Sequence, residues 1–432
     1  MNYQEAIEYL YRATPVFQHS GGSAYKPGLS TVIALSEAFG NPHLALCCIH
    51  VAGTNGKGST CHTLAAVLQK AGYKVGLFTS PHLVDFRERI RVNGQKVSEE
   101  YVVQFTKESQ TLVEKLRPSF FELTTVMAFS HFAKEKVDIA VIEVGMGGRL
   151  DSTNIIKPML SIITGISLDH TQFLGNTIED IAIEKAGVIK PHVPVVVGEA
   201  NKCLREIFTQ KASTECAPIY FAEDSKHILE AKLSEDQSYI SYQTALWGEI
   251  QSGLTGDAQP INARTVMTAI TLLQQRLQIP TSAIQSGFRN VISLTGLMGR
   301  WQVLEHSPLL ICDTGHNAGG IAQIVSRLEK LKVTHLHIIF GMAADKDVKQ
   351  VLELLPKQAY YYFCQASVDR AMPVDELYSL AKGCGLDGEK FVSVEKALAS
   401  ARKKASQEDA LFVGGSNFVV ADLLSTLHLL KK

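Results

Sequence analysis

No hydrophobic run in this chain approaches the roughly 20 residues a membrane span needs. A charge of one sign is missing too. Lys plus Arg total 42 against 43 for Asp plus Glu, a net charge of −1 at pH 7. The overall field therefore offers no handle for nucleic acid or an anionic membrane surface, and any attraction for an anion must be local. The eight cysteines, at 47, 48, 61, 203, 216, 312, 364 and 384, include no C-x-x-C pair. Most fall in apolar stretches and read as small, reduced core residues, not disulfide staples or zinc ligands. There is no repeat of solenoid period and no low-complexity tract. The amino terminus, M-N-Y-Q-E-A-I-E-Y-L, is acidic where a signal peptide would be basic. These absences lead us to expect a soluble, cytoplasmic protein, and 432 residues leave room for two or three domains.

What is present is a phosphate-loop signature. Residues 49–60 read I-H-V-A-G-T-N-G-K-G-S-T, behind an apolar run from Leu44 to Val51 and ahead of a helical pattern over 60–71. Glycines let several backbone N–H groups point into one concavity with no Cβ in the way. The following helix adds unpaired N–H groups and the positive end of its dipole, and Lys57 adds a full charge. On this basis Lys57 reaches outer phosphates, while Ser59 or Thr60 caps the helix or faces Mg²⁺. The spacing is shorter than G-x-x-x-x-G-K-[ST] and carries an additional Gly58. The alternative is a glycine-rich turn with an exposed lysine; we take nucleotide phosphate.

The remaining order of elements predicts a mostly parallel α/β sheet. A helix over 2–12 precedes a Gly- and Ser-rich loop, Gln18 to Gly28. A strand from Tyr73 to Thr79 ends in T-S-P-H-L, which puts Ser80 and His82 at a carboxyl end, where open α/β sheets place their ligands. A Ser-Pro turn with a solvated histidine is the alternative. Arg87, Arg89 and Arg91 form a local basic patch, either a solvated edge strand or an anion clamp. Helices follow over 99–116 and 121–135. The run 137–144 has the unbroken apolar character of a central parallel strand, with Glu143 inside it. A carboxylate there is costly to bury without compensation, and metal coordination, with Arg149 and Asp151 nearby, explains it better than a surface position. A strand over 159–166 ends in S-L-D-H-T, placing Asp169 and His170 at its tip as ligand candidates. Lys185, on a helix over 178–190, is a solvated lysine by periodicity. Strands at 193–198, 218–221 and 239–243 follow, then helices over 262–277, with Asn262 as a natural cap, and 281–289.

Ser293 to Arg300 reads as a linker. Beyond it, strands at 308–313, 333–341, 358–364 and 410–415 alternate with helices at 317–330, 346–355, 374–383, 395–406 and 418–428. That is a second, smaller, Rossmann-like doubly wound domain, so the expected division is 1–295 and 296–432. Its first strand lacks a following G-x-G-x-x-G, so a dinucleotide is not indicated. The strand ends instead in C-D-T-G-H-N, with Asp313 and His316 at the carboxyl end.

The ordered set G-T-N-G-K-G-S-T, T-S-P-H-L, R-E-R-I-R-V-N-G, E-V-G-M-G-G-R-L-D-S-T-N, L-D-H-T, E-K-A-G-V-I-K and D-T-G-H-N resembles the folylpolyglutamate synthase and dihydrofolate synthase family, a branch of the Mur ligases. The resemblance runs from about residue 20 to 425. It implies an ATP-dependent amide ligase in which a substrate carboxylate is phosphorylated and the amine of L-glutamate attacks the acyl phosphate. By motif, Thr54, Asn55, Gly56, Lys57, Gly58 and Ser59 would hold the triphosphate. Ser80, Glu143 and His170 would hold Mg²⁺. Lys185 would be a carbamate helping to bind a second Mg²⁺, which reverses its solvated assignment. Asn262, Arg300 and Asp313 would contact the nucleotide, with His316 beside them as a further catalytic candidate. Where the family has A-H-N-P and P-G-R, this chain has Gly315-His316-Asn317-Ala318 and Met298-Gly299-Arg300, which implies a looser hinge between domains. The implied partners are dihydropteroate or a reduced folate, L-glutamate and ATP, with no nucleic acid or membrane. Nothing in the pattern requires more than a monomer. A muropeptide-type ligase is the alternative, against which R-E-R-I and E-K-A-G-V-I-K argue. A non-catalytic nucleotide switch would leave Glu143 and His170 without a purpose.

Overall fold

A computed structural model describes residues 1–14 and 28–429, so the loop expected at Gln18 to Gly28 lies almost wholly outside the described residues. The chain divides into two units, Met1–Leu297 and Met298–Lys432.

The first unit is built on an eight-stranded sheet. In chain order its elements begin with helices α1 (Tyr3–Ala13) and α2 (Ser30–Ala38), then strand β1 (Cys48–Ala52), helix α3 (Lys57–Lys70) and strands β2 (Val75–Phe78), β3 (Ile90–Val92) and β4 (Gln95–Lys96). Helices α4 (Glu99–Leu116) and α5 (Phe120–Lys134) lead to β5 (Ile139–Glu143) and β6 (Leu160–Ile163). Next come α6 (Thr171–Leu174), α7 (Ile178–Ala186), β7 (Val195–Val197), α8 (Lys202–Thr214) and β8 (Ile219–Phe221). The strand order is β4-β3-β2-β5-β1-β6-β7-β8. Pairing is parallel from β2 to β8 and antiparallel at the β3 and β4 edge.

Alternation along the strands decides which face each side chain joins. Ile49, Val51, Val75, Leu77, Ile139 and Val141 pack with Leu64, Val67 and Leu68 of α3 on one face. Cys48, Phe78, Ala140 and Ile142 pack with Phe129 and Phe132 of α5 on the other. A sheet covered on both faces accounts for the unbroken apolar character of its central strands. The first face is completed by an antiparallel sheet that the periodicity only half revealed: β9 (Ile228–Leu233), β10 (Ile240–Thr244) and β11 (Gly248–Ser252). Only β10 was anticipated, because exposed, mixed side chains on β9 carry little hydrophobic pattern. Helices α9 (Gln259–Leu273), α10 (Thr281–Arg289) and α11 (Val291–Thr295) close the unit.

The second unit has strands β12 (Gln302–His306), β13 (Leu309–Cys312), β14 (Leu336–Phe340), β15 (Tyr360–Cys364), β16 (Gly388–Phe391) and β17 (Ala410–Gly414) in the order β12-β13-β17-β14-β15-β16. All pairings are parallel except β12 with β13. Helices α12 (Ala318–Leu328), α13 (Val348–Leu354), α14 (Val374–Gly383), α15 (Val394–Lys404) and α16 (Asn417–Leu429) alternate with them. The doubly wound expectation holds, with two additional edge strands, β12 and β16, that the sequence pattern did not show. Among the described residues, no helix is long and apolar enough to cross a membrane.

Candidate active site

The site is assembled at the carboxyl ends of β1, β2, β5 and β6. After β1 the chain turns at Gly53 and Gly56, both with positive φ (143° and 89°). A Cβ on Gly53 would stand 1.8 Å from Thr164 Oγ1, and one on Gly56 2.3 Å from Asn262 Oδ1. Only glycine fits either place. Gly56 is the N-cap of α3, which starts at Lys57, three residues before the expected start. Ser59 and Thr60 therefore lie inside the helix and neither caps it. Among the described residues, Thr60 Oγ1 is buried without a hydrogen-bond partner. The loop is strapped to the end of β6: Thr54 N–H donates to Gly165 C=O (2.8 Å) and Thr54 Oγ1 to Ser167 C=O (3.1 Å), while Asn55 Nδ2 donates to Ser167 Oγ (3.3 Å).

Two lysines converge on one carbonyl. Lys57 Nζ donates to Gly53 C=O (3.0 Å) and Thr54 C=O (3.1 Å). Lys185 Nζ, from α7, donates to the same Gly53 C=O at 2.8 Å. Lys185 is 4% exposed, so its solvated assignment from periodicity is corrected. Burial and, secondarily, the Lys57 ammonium pull its pKa down to about 7, against the opposing charges of Asp169 and Asp151.

Glu143 ends β5 and is 4% exposed. Its Oε2 accepts Ser80 N–H at 3.0 Å, which brings together two of the expected metal-binding residues. Arg149, which the sequence places near Glu143, is an exposed residue paired with Glu184 (2.7 Å). Asp151 is buried; its carboxylate accepts Met146 N–H, Thr153 N–H and Thr153 Oγ1–H. Burial still raises its pKa. His170 takes a left-handed conformation (φ 52°) at the start of α6, and its N–H donates to Asp169 Oδ1. Arg89 and Arg91 are buried, which rules out a fully solvated basic edge.

Asn262 is not a helix cap. Helix α9 begins at Gln259 with Ala258 as N-cap, and the proline at 260 suits the first turn. Asn262 lies one turn in, buried, with Nδ2 donating to Gln259 Oε1 (3.3 Å) and Oδ1 beside Gly56. Gln259, which the sequence did not single out, in turn donates to Ser59 Oγ (3.5 Å). No local signal marks Gln259, because its role depends on the packing of α9 against α3.

In the second unit Asp313 follows β13. Its Oδ2 accepts Trp301 N–H (2.6 Å) and its Oδ1 Gly315 N–H (2.8 Å). Burial raises its pKa, opposed first by the charge of Arg300 and more weakly by His316. His316 Nδ1 lies 3.1 Å from Thr314 C=O. Asp313, Arg300 and His316 thus form one cluster and the phosphate-loop residues another, one in each unit.

Residues 51–270 match the family model of the Mur ligase middle domain, and 299–417 that of the Mur ligase glutamate ligase domain. The dihydrofolate synthase/folylpolyglutamate synthase of Bacillus subtilis is 32% identical over 408 residues, 91% of this chain and 94% of the relative. The chain belongs to the folylpolyglutamate and dihydrofolate synthase family of Mur ligases. It is an ATP-dependent ligase by class. A 33% identical relative from Haloferax volcanii, named a probable bifunctional folylpolyglutamate synthase/dihydropteroate synthase, matches 99% of this chain, which spans only 50% of that relative's length. Escherichia coli FolC in complex with DHPP and ADP superposes with a TM-score of 0.84 at 29% identity, over 100% of this chain and 99% of that one. A bifunctional folylpolyglutamate synthase/dihydrofolate synthase with Mn, AMPPNP and L-glutamate bound gives 0.80 at 30% identity, over 99% and 98%.

Among the described residues, no three His, Cys, Asp or Glu side chains group to hold a metal ion. The set carried over from the family contains only Glu143 and His170 of those types, the others being a serine and a lysine. The buried Glu143 carboxylate with Ser80 beside it offers hard oxygen donors, which fit Mg²⁺. The cysteines divide: 48, 61, 312 and 364 are buried as expected, whereas 47, 203 and 216 are exposed and 384 intermediate.

Proposed function

We propose that this chain joins L-glutamate to the carboxylate of dihydropteroate, of a reduced folate, or of both, at the expense of ATP and Mg²⁺, and that it does so as a monomer in the cytoplasm. The first unit binds the phosphates and the second presents glutamate. The observation that carries this is the pair of lysine amino groups gathered on Gly53 C=O, on a glycine loop beside the buried Glu143. The relatives solved with DHPP and ADP, and with Mn, AMPPNP and L-glutamate, support the choice of ligands.

In this reading the loop Thr54 to Ser59, through the N–H groups of residues 56–59 and the Lys57 ammonium, binds the triphosphate and orients its terminal phosphoryl group toward the incoming carboxylate. The carboxylate oxygen attacks phosphorus and ADP leaves; the neutral amine of glutamate then attacks the acyl carbon, phosphate departs, and the amine loses a proton. Mg²⁺, held by Ser80, Glu143 and His170, would neutralise charge on the phosphoryl oxygens. Asn262, Arg300 and Asp313 hold the nucleotide, and His316 acts beside it. Lys185 is buried and its amine is neutral for much of the time near pH 7. Such an amine adds to carbon dioxide, releasing one proton and leaving a carbamate that would serve a second Mg²⁺.

Phosphate release tests the proposal, measured with Mg-ATP, L-glutamate and, in turn, dihydropteroate, tetrahydrofolate or a muropeptide precursor. Stimulation by a pterin substrate is expected. Stimulation by the muropeptide alone, or by none, rejects the folate assignment.

A further inference from the structure

The loop after β2 is framed by one carboxylate. Thr79 N–H donates to Arg89 C=O (3.0 Å), which closes residues 80–88 into a loop. Inside it, Glu88 Oε2 accepts Leu83 N–H at 2.8 Å, and Oε1 accepts Val84 N–H at 3.2 Å and Asp85 N–H at 2.9 Å. Asp85 reciprocates: its C=O accepts Glu88 N–H and its Oδ1 accepts Arg87 N–H, so the turn is locked from both ends. Glu88 is 9% exposed, shielded from the water that would compete for these amides. Next along the chain, Arg89 Nε donates to His82 Nδ1 at 2.7 Å. An arginine can only donate, so His82 carries its proton on Nε2 and gives it to the Tyr11 hydroxyl oxygen (3.1 Å). The loop begins at Ser80, whose N–H is bonded to Glu143.

We infer that Glu88 is a positioning residue for the divalent metal. Its three amide contacts dictate the course of residues 83–85 and thereby hold Ser80 against Glu143. The inference rests on Ser80 and Glu143 being metal ligands, as proposed above. A carboxylate is required because both of its oxygens only accept. Glutamine in the same place has one accepting oxygen, which can serve Leu83 or the Val84 and Asp85 pair but not both, and its NH₂ would face the remaining amide N–H.

Mn²⁺ binding to the full-length protein in the presence of AMPPNP is the test, followed by loss of the free-Mn²⁺ EPR signal, with AMPPNP affinity measured separately without metal. Glu88→Gln should raise the Mn²⁺ Kd about tenfold, as expected when a partner supporting a metal ligand is altered, and leave metal-free AMPPNP affinity unchanged. Ser80→Ala should raise the Mn²⁺ Kd as well. If Ser80→Ala weakens Mn²⁺ and Glu88→Gln does not, the positioning role is overturned while the ligand assignment survives. If neither weakens it, the assignment of Ser80 has failed and the inference with it. Loss of AMPPNP binding in Glu88→Gln would show a collapsed site and also overturn the inference. Should Glu88→Gln not fold, Glu88→Asp keeps the charge but withdraws it by one methylene. It should raise the Kd a few-fold, and a wild-type Kd would reject the role.

Discussion

The carboxyl rims of the two parallel sheets are built differently. On the first, charged side chains are buried or half-buried and held by the backbone: Lys57, half-buried, and Lys185 by loop carbonyls, Glu143 by the Ser80 amide, Asp151 by the Met146 and Thr153 amides. On the second, Asp313 is a half-buried carboxylate, again held by two amides, with Arg300 as its main opposing charge. The same device, a side-chain charge tied to main chain, thus appears at high density on one rim and low density on the other. Charges fixed this way need no reorganisation as a reaction proceeds, which is the property electrostatic catalysis exploits. In the proposed reaction the first rim would serve the phosphoryl group and the second recognition.

The sharpest way to break this contrast is Lys57→Ala. It should lower turnover about 100- to 1000-fold, the typical effect of removing one group that faces transferring charge, in an assay of phosphate release; near-normal turnover would dismiss the phosphate role. Lys185→Ala should lose almost as much and regain part of it when a small carboxylic acid is added. A variant with unaffected turnover would leave no carbamate to restore. Asp313→Asn should act chiefly on the KM for ATP, raising it about tenfold, the cost of one weakened charge-assisted contact. A kcat loss matching that of Lys57→Ala would erase the proposed difference between rims.

The smallest effect concerns pH. His50 of β1 is fully buried, and burial, assisted by the charge of Lys190, lowers its pKa to about 3. It is neutral in the folded protein, whereas the unfolded chain takes up a proton below about pH 6.5. Stability is therefore intact above that pH and declines as pH falls from there toward 3, by up to ~1.4 kcal/mol per pH unit. His337 in the second unit is also lowered by burial, but Asp409 opposes the shift, so its contribution should be smaller. Urea midpoints between pH 7 and 5 should fall less steeply in His50→Gln than in the wild type, and less strongly altered in His337→Gln. Equal slopes in all three proteins would remove both histidines from the account.

The elements most legible in sequence were those with an unbroken apolar run or a clear helical period. Helix α4 was bounded correctly at both ends, and the four inner strands of the second sheet, β13, β14, β15 and β17, were located, because burial on two faces leaves a strong mark. Edge strands β9, β12 and β16 were not seen, since exposed strands mix polar and apolar side chains freely. For the site, glycines and strand-end residues were readable because they answer to local backbone needs. Lys185 was not readable from periodicity: its burial depends on α7 reaching the Gly53 carbonyl 132 residues away in the chain. Gln259 and Glu88 were missed for the same reason and for a subtler one, since a Glu among three arginines looks like a surface ion-pair partner until its amide contacts are known.

Strand β1 pairs with β5 on one side and with β6 on the other. Both partners lie well downstream, and the second is complete only about 110 residues after β1 ends. At roughly 5 to 20 residues per second of synthesis, the phosphate loop leaves the ribosome some seconds before the strands that flank it exist. The segment proposed to hold the phosphates is thus made early and shaped late, and through that interval its apolar strand lacks the neighbours it pairs with in the fold.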